Sequence, residues 1–159
     1  MNVQAAEAYV ENGLGILHAG SQVLLIATDG TLTWFDQPSG HTLIAGSIHF
    51  VAGFYYTASA NAVFRTADFS NWETVATASQ ILGANGTLAR MWVHPSTGSF
   101  GFYSSLNTLT LVQTQDFVSF KRNNRPSKWG SNIVLRRNHF TGDRFVWFIA
   151  ESSNNSYYF

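Results

Sequence analysis

The sequence predicts an all-β protein built from repeated antiparallel meanders, and three observations carry that prediction. Short alternating or aromatic apolar runs recur along the chain, separated by turn-forming dipeptides. No segment shows the 3.6-residue periodicity of an amphipathic helix. One stretch also repeats: FYYTASANAVFRTADFSNW, from Phe54 to Trp72, aligns without a gap on FYSSLNTLTLVQTQDFVSF, from Phe102 to Phe120, at an offset of 48. Phe, Tyr, Thr, Asp and Phe coincide in it, and Trp72 meets Phe120.

In chain order, strands are expected at Gln22–Ala27, Leu32–Phe35, Ile48–Ala52, Phe54–Ala58, Ala62–Thr66, Leu88–His94, Phe100–Ser104, Leu109–Thr114, Ile133–Arg137 and Phe145–Ala150. Their β-branched and aromatic residues suit a pleated, half-buried surface. Asp29-Gly30, Thr97-Gly98, Thr141-Gly142 and Asn154-Asn155 supply turns, because these residues tolerate positive φ. MNVQAAEAYVENG reads as a leader. Two weaker copies of the unit flank the strong pair, VLLIATDGTLTWFDQPSGHTLIA upstream and RFVWFIAESSNNSYYF downstream. A repeated unit of roughly 40 residues favours a propeller-like stack of about three to four blades over a sandwich or barrel. The whole of residues 1–159 is expected to form this one domain.

Composition narrows the function. Hydrophobic residues make up 45% of the chain and charged residues 11%, against about 25% charged in ordinary globular proteins. The chain should therefore fold, with a surface of Ser, Thr, Asn, Gln and Gly that suits a protein held in an assembly or exposed to sugars. With no cysteine, disulfides and thiolate metal sites are excluded. No basic region followed by an apolar stretch marks a signal peptide, and no apolar run approaches the 18 residues of a membrane helix. The expectation is cytoplasmic synthesis, no membrane partner, and exit only in a virus particle or through lysis.

The formal charge of zero is unevenly placed. Residues 1–120 hold seven carboxylates against Arg65 and Arg90, while residues 121–159 hold seven bases against Asp143 and Glu151. Lys121, Arg122, Arg125, Lys128, Arg136, Arg137 and Arg144 either line a surface for a polyanion such as nucleic acid or acidic glycan, or are solvated residues guarding strand edges. Both readings stay open.

FRTADFSNWETV and LVQTQDFVSFKR resemble the blade turn of five-bladed propellers of the glycoside hydrolase family 43 and 32 type, and the Asp-box-like turns of sialidase-type propellers. The matching positions are Thr66, Asp68, Phe69 and Trp72, and again Thr114, Asp116, Phe117 and Phe120. An Asp at such a turn accepts hydrogen bonds from nearby backbone N–H groups, and the aromatic that follows packs between sheets. Asp68, Trp72, Asp116 and Phe120 are therefore read as structural turn residues. Glycosidic catalysis in those families needs two converging carboxylates. Neither the Asn-Asp-Pro-like start nor the Glu-Gly-Pro-like acid motif is present, and only Asp143 and Glu151 remain as loose candidates, so the activity does not carry over. Five blades of about 40 residues need about 200, so the ring is expected to stay open or to be completed by another chain, giving an oligomer.

His18, His41, His49, His94 and His139 show no spacing for a metal site, no Gly-x-Ser-x-Gly elbow is present, and the Gly-x-Gly at 13–15 opens no helix. No catalytic, cofactor-binding or metal residue is expected. Trp34, Trp92, Trp147, Tyr55 and Tyr103 belong either to the blade core or to a sugar-stacking surface. Trp129, in the basic loop NNRPSKWGSN, is the leading partner or glycan contact, with Arg125, Lys128, Arg136 and Arg137 around it in sequence. The expected function is a non-enzymatic structural or binding module of a virus particle, in the style of bacteriophage tail or capsid-associated proteins. The alternatives are a lectin with an oligomeric propeller and a degenerate family-43-like glycosidase.

Overall fold

The computed structural model describes residues 8–83, 85–104, 110–124, 133–141, 144–151 and 157–158, with side chains described for 10–83, 85–104 and 111–123. Hairpin chemistry organises the start of the chain. Asn12 and Gly13 both take positive φ, 49° and 75°, as a tight two-residue turn requires. They join β1 (Ala8–Glu11) to β2 (Leu14–Ala19), which continues into β3 (Gln22–Ile26) and β4 (Leu32–Asp36). The second sheet holds β5 (His49–Val51), β6 (Phe54–Ala58), β7 (Ala62–Thr66) and β8 (Glu73–Thr77). The third holds β9 (Leu88–Val93), β10 (Phe100–Ser104), β11 (Thr110–Thr114) and β12 (Lys121–Asn124). A fourth has three strands, β13 (Ile133–Thr141), β14 (Arg144–Glu151) and β15 (Tyr157–Tyr158). Within every sheet consecutive strands pair antiparallel, so the chain is an all-β protein of successive meanders. No closed ring is traced by the described residues.

Several expectations need correction. The segment read as a leader contains a strand, and β2, β8 and β12 were also missed. A short helix, α1 (Ala78–Leu82), follows β8. Thr77 caps it: its hydroxyl accepts from the Gln80 N–H while the Gln80 side chain accepts from the Thr77 N–H. Five residues are too few to display a period, but the Thr-x-x-Gln box was readable. The gapless repeat is also only half right. Thr66 pairs with Tyr55, whereas its counterpart Thr114 pairs with Phe100. The third strands and their turns match at an offset of 48, but the second strands match at 45, because the hairpin joining β10 to β11 is longer.

Alternation along the second sheet explains how the stack holds together. Tyr55, Ala62 and Phe64 face the first sheet and join Ile16, Val23 and Leu25 in one core. Their neighbours Tyr56, Ala58 and Val63 face the third sheet and join Met91, Phe100, Phe102 and Val112 in another. The second sheet is thus buried on both faces. Gln37, 8% exposed, pins the crossing between the first two sheets. Its carbonyl accepts from the Leu43 N–H at 2.9 Å, and its amide donates to the Gly20 oxygen at 3.0 Å.

Candidate functional site

The repeated turn is the best-built polar feature. Thr66 Oγ1 accepts from the Asp68 and Phe69 N–H groups at 3.2 and 2.9 Å and donates to Asp68 Oδ1 at 3.2 Å. Asp68 Oδ1 in turn accepts from the Ser70 and Asn71 N–H groups, both at 2.9 Å. The third sheet repeats this: Asp116 Oδ1 accepts from Val118 and Ser119 at 2.9 and 2.8 Å, and Thr114 Oγ1 from Phe117 at 3.0 Å. Those bonds stabilise the ionised carboxylates. The N–H groups of Asn71 and Ser70 hold Asp68 down at about 2, and those of Ser119 and Val118 lower Asp116 in the same way. Carboxylates held ionised by their own turns are poor proton donors near neutral pH.

The turns also aim an aromatic wedge one step earlier than the motif's final aromatic, which packs beside it. Phe69 and Phe117 adopt left-handed φ of 60° and 58°, uncommon for aromatics, and so point back between sheets. Phe69 meets Tyr55 and Phe35 at centroid distances of 4.6 and 5.7 Å. Phe117 meets Phe100 at 4.6 Å and stacks on Tyr56 at 5.8 Å. Trp72 adds a strap, its Nε1–H donating to the Asp36 oxygen at 3.1 Å. Phe120 is half-buried against the second core, with the Arg122 guanidinium 5.3 Å above its ring.

The first strands of three sheets converge on His49. Glu11 comes from β1, and its Oε1 accepts from the Phe50 N–H at 2.8 Å. Burial pushes the His49 imidazole below its ordinary value, against opposing pulls from the Glu11 charge and a hydrogen bond with the Met91 backbone. One carboxylate and one imidazole make an electrostatic pair, and no group of three potential metal ligands exists among the described residues.

Shallow grooves lie beside the repeated turns. One of about 260 Å³ is lined by Arg65, Asp68, Trp72 and Glu73, and one of about 370 Å³ by Trp92, His94, Gln113, Gln115 and Lys121. The Arg65–Glu73 ion pair, at 2.8 Å, has Gln113 and Lys121 in its place one sheet later. Tyr55, Trp92 and Tyr103 are 7%, 6% and 4% exposed, so they serve the core and present no open face for a sugar ring.

Trp34 differs, at 47% exposed. Strand register across the first sheet sets Val10, Gly15, Ile26 and Leu32 in one row and Leu17, Leu24 and Trp34 in the next. Both rows lie on the face turned away from the second sheet. Val10, Ile26, Leu32 and Trp34 are 75%, 37%, 60% and 47% exposed, four of the five exposed large apolar residues among those described. The fifth, Val118, stands in the Asp116 turn. Sequence reasoning missed this face, because Val23 to Ile26 is apolar at every position and shows no free side. Asp143, Trp129, Arg125 and Lys128 lie outside the described residues. Arg136, Arg137, Trp147 and Glu151 fall on β13 and β14, whose side chains also lie outside them.

No family model and no curated protein matches the chain. A solved structure described as S. cerevisiae dbp5 bound to nup159, gle1, IP6 and ADP, with dbp5 and gle1 as point variants, contains a chain of similar fold. The TM-score is 0.52 at 14% identity, over 92% of this chain and 40% of that one. This chain therefore spans about two fifths of the structural relative it matches, and the likeness concerns fold alone.

Proposed function

We propose that the chain is a propeller-like arc of blades working as a non-enzymatic structural or binding module of a larger assembly, in the style of a bacteriophage tail or capsid-associated protein. The observation that carries this reading is the solvent-facing apolar side of the first sheet, since exposed apolar patches of this kind mark interaction surfaces. The architecture supports it: stacked meanders with inner strands converging on His49 suit blades around an axis. The turn carboxylates Asp68 and Asp116 speak against catalysis, because each is committed to its own backbone.

A glycan array together with aryl-glycoside assays tests the proposal. The expected result is no sugar-dependent signal at millimolar ligand and no hydrolysis. Sugar-specific retention would replace this reading with a lectin. Turnover abolished by replacing Asp143 or Glu151 would replace it with a glycosidase. Salt-sensitive DNA binding lost on neutralising Arg136 and Arg137 would place the module beside packaged nucleic acid.

A further inference from the structure

Resting on the binding-module reading above, we infer that the groove beside Gln113 and Lys121 on the third sheet binds a carboxylate side chain from an acidic segment of a partner protein. The repeat supplies the argument, because the second sheet shows the same positions when they serve only the fold. There Arg65 stands between Tyr56 and Glu73 in the strand register. Its guanidinium lies 4.8 Å from the centre of the Phe54 ring, donates to Glu73 Oε2 at 2.8 Å and is held by the Tyr56 hydroxyl. That cation is satisfied within its own sheet.

None of those partners recurs one sheet later. Strand pairing puts Gly101 where Tyr56 stands, Gln113 in place of Arg65 and Lys121 in place of Glu73, while Ser99 corresponds to Phe54. Among the described residues neither the Lys121 ammonium nor the Gln113 amide has a hydrogen-bond or ion-pair partner, and both side chains are exposed. They line a groove of about 370 Å³, against about 260 Å³ beside the Arg65–Glu73 pair. Another part of its wall is already tied: Gln115 Nε2 donates to Ser99 Oγ at 3.1 Å, and Thr97 Oγ1 donates to the same oxygen at 2.9 Å. Asp116 lines the adjoining groove, its Oδ1 committed to the Val118 and Ser119 N–H groups. An ammonium beside an amide N–H offers two kinds of donor and a single positive charge, which suits a planar, singly charged carboxylate. A protein partner is favoured over an acidic sugar because the groove's aromatics, Trp92 and Phe100, are 6% and 3% exposed and leave no ring face for a pyranose.

Nuclear magnetic resonance titration of the full chain tests the inference with a blocked oligoglutamate peptide, a blocked oligoglutamine peptide and glucuronic acid, read at the Gln113 side-chain amide and the Trp92 indole N–H. The glutamate peptide should shift both signals saturably and more weakly as salt is added, and the glutamine peptide should shift neither. Lys121→Gln should weaken binding by roughly tenfold or more, and Lys121→Arg should keep it. The double variant Gln113→Arg, Lys121→Glu should abolish it, because it rebuilds the ion pair of the second sheet. Both positions are exposed, so the fold should accept these changes, and an unchanged urea midpoint checks that. A glutamate peptide that leaves both signals unmoved, an equal response to the glutamine peptide, or a Lys121→Gln variant that binds like wild type would overturn the inference. Tighter binding of glucuronic acid would overturn it together with the module reading, in favour of a lectin. Failure of the peptide with no response to the sugar removes this site alone and leaves the module reading standing.

Discussion

Replacing Phe69 with alanine removes the wedge between the first two sheets and should be among the most damaging single changes in the chain. The ring is 2% exposed and touches Tyr55, Phe35 and Trp72 at centroid distances of 4.6, 5.7 and 5.8 Å. Truncating a buried phenylalanine costs about 3–5 kcal/mol through lost transfer energy and the cavity left behind. Contacts to three rings keep this site out of the lower part of that range, so about 4 kcal/mol is expected, a large share of the roughly 5–15 kcal/mol holding a domain together. Alanine keeps the left-handed strain at φ 60°, whereas glycine relieves about 1 kcal/mol of it. Phe69→Gly should therefore be milder than Phe69→Ala, the reverse of the usual order. Phe117→Ala, at a half-buried site, should cost about 2–3 kcal/mol. Urea unfolding followed by circular dichroism measures all three. A Phe69→Ala loss below about 1 kcal/mol, or a glycine variant less stable than the alanine one, would refute the wedge.

Three further outcomes are expected. At Gly101 a Cβ would overlap the Trp92 indole lying across it, so Gly101→Ala should cost about 1–3 kcal/mol and change tryptophan fluorescence; an unchanged spectrum and stability would contradict that packing. Because the fold lowers the proton affinity of His49, the unfolded chain takes the proton first. Stability is then full above the ordinary value of 6.5 and falls as pH drops below it, a slope that His49→Gln should flatten in thermal unfolding between pH 8 and 5. Asp68 and Asp116 have folded values below 3.8, so their contribution is present above that value and lost as pH falls toward 2; Asp68→Ala and Asp116→Ala should each flatten the acid limb, and an unchanged limb would mean that their turn bonds do not matter.

Much of the fold was legible because its signals were local. The alternating runs located the central strands, and the Thr-x-Asp-Phe-x-x-aromatic phrase found both turns. Which aromatic does the wedging was not legible, since that depends on Phe69 and Phe117 taking positive φ, a backbone choice that aromatics rarely make. Asn12-Gly13 is a readable hairpin signal, but it closes a segment whose composition reads as a leader. His49 resisted reading for another reason: Glu11, His49 and Met91 lie far apart in the chain and meet only when three first strands come together. The free face of the first sheet was hidden likewise, since an apolar run says how much is buried and not which side is covered.

Light scattering on the wild-type chain across a wide concentration range tests most directly the expectation that the open stack of sheets is completed by further copies of the same chain. The account predicts a mass that rises to a multiple of 17.6 kDa. A mass of 17.6 kDa at every concentration would contradict it.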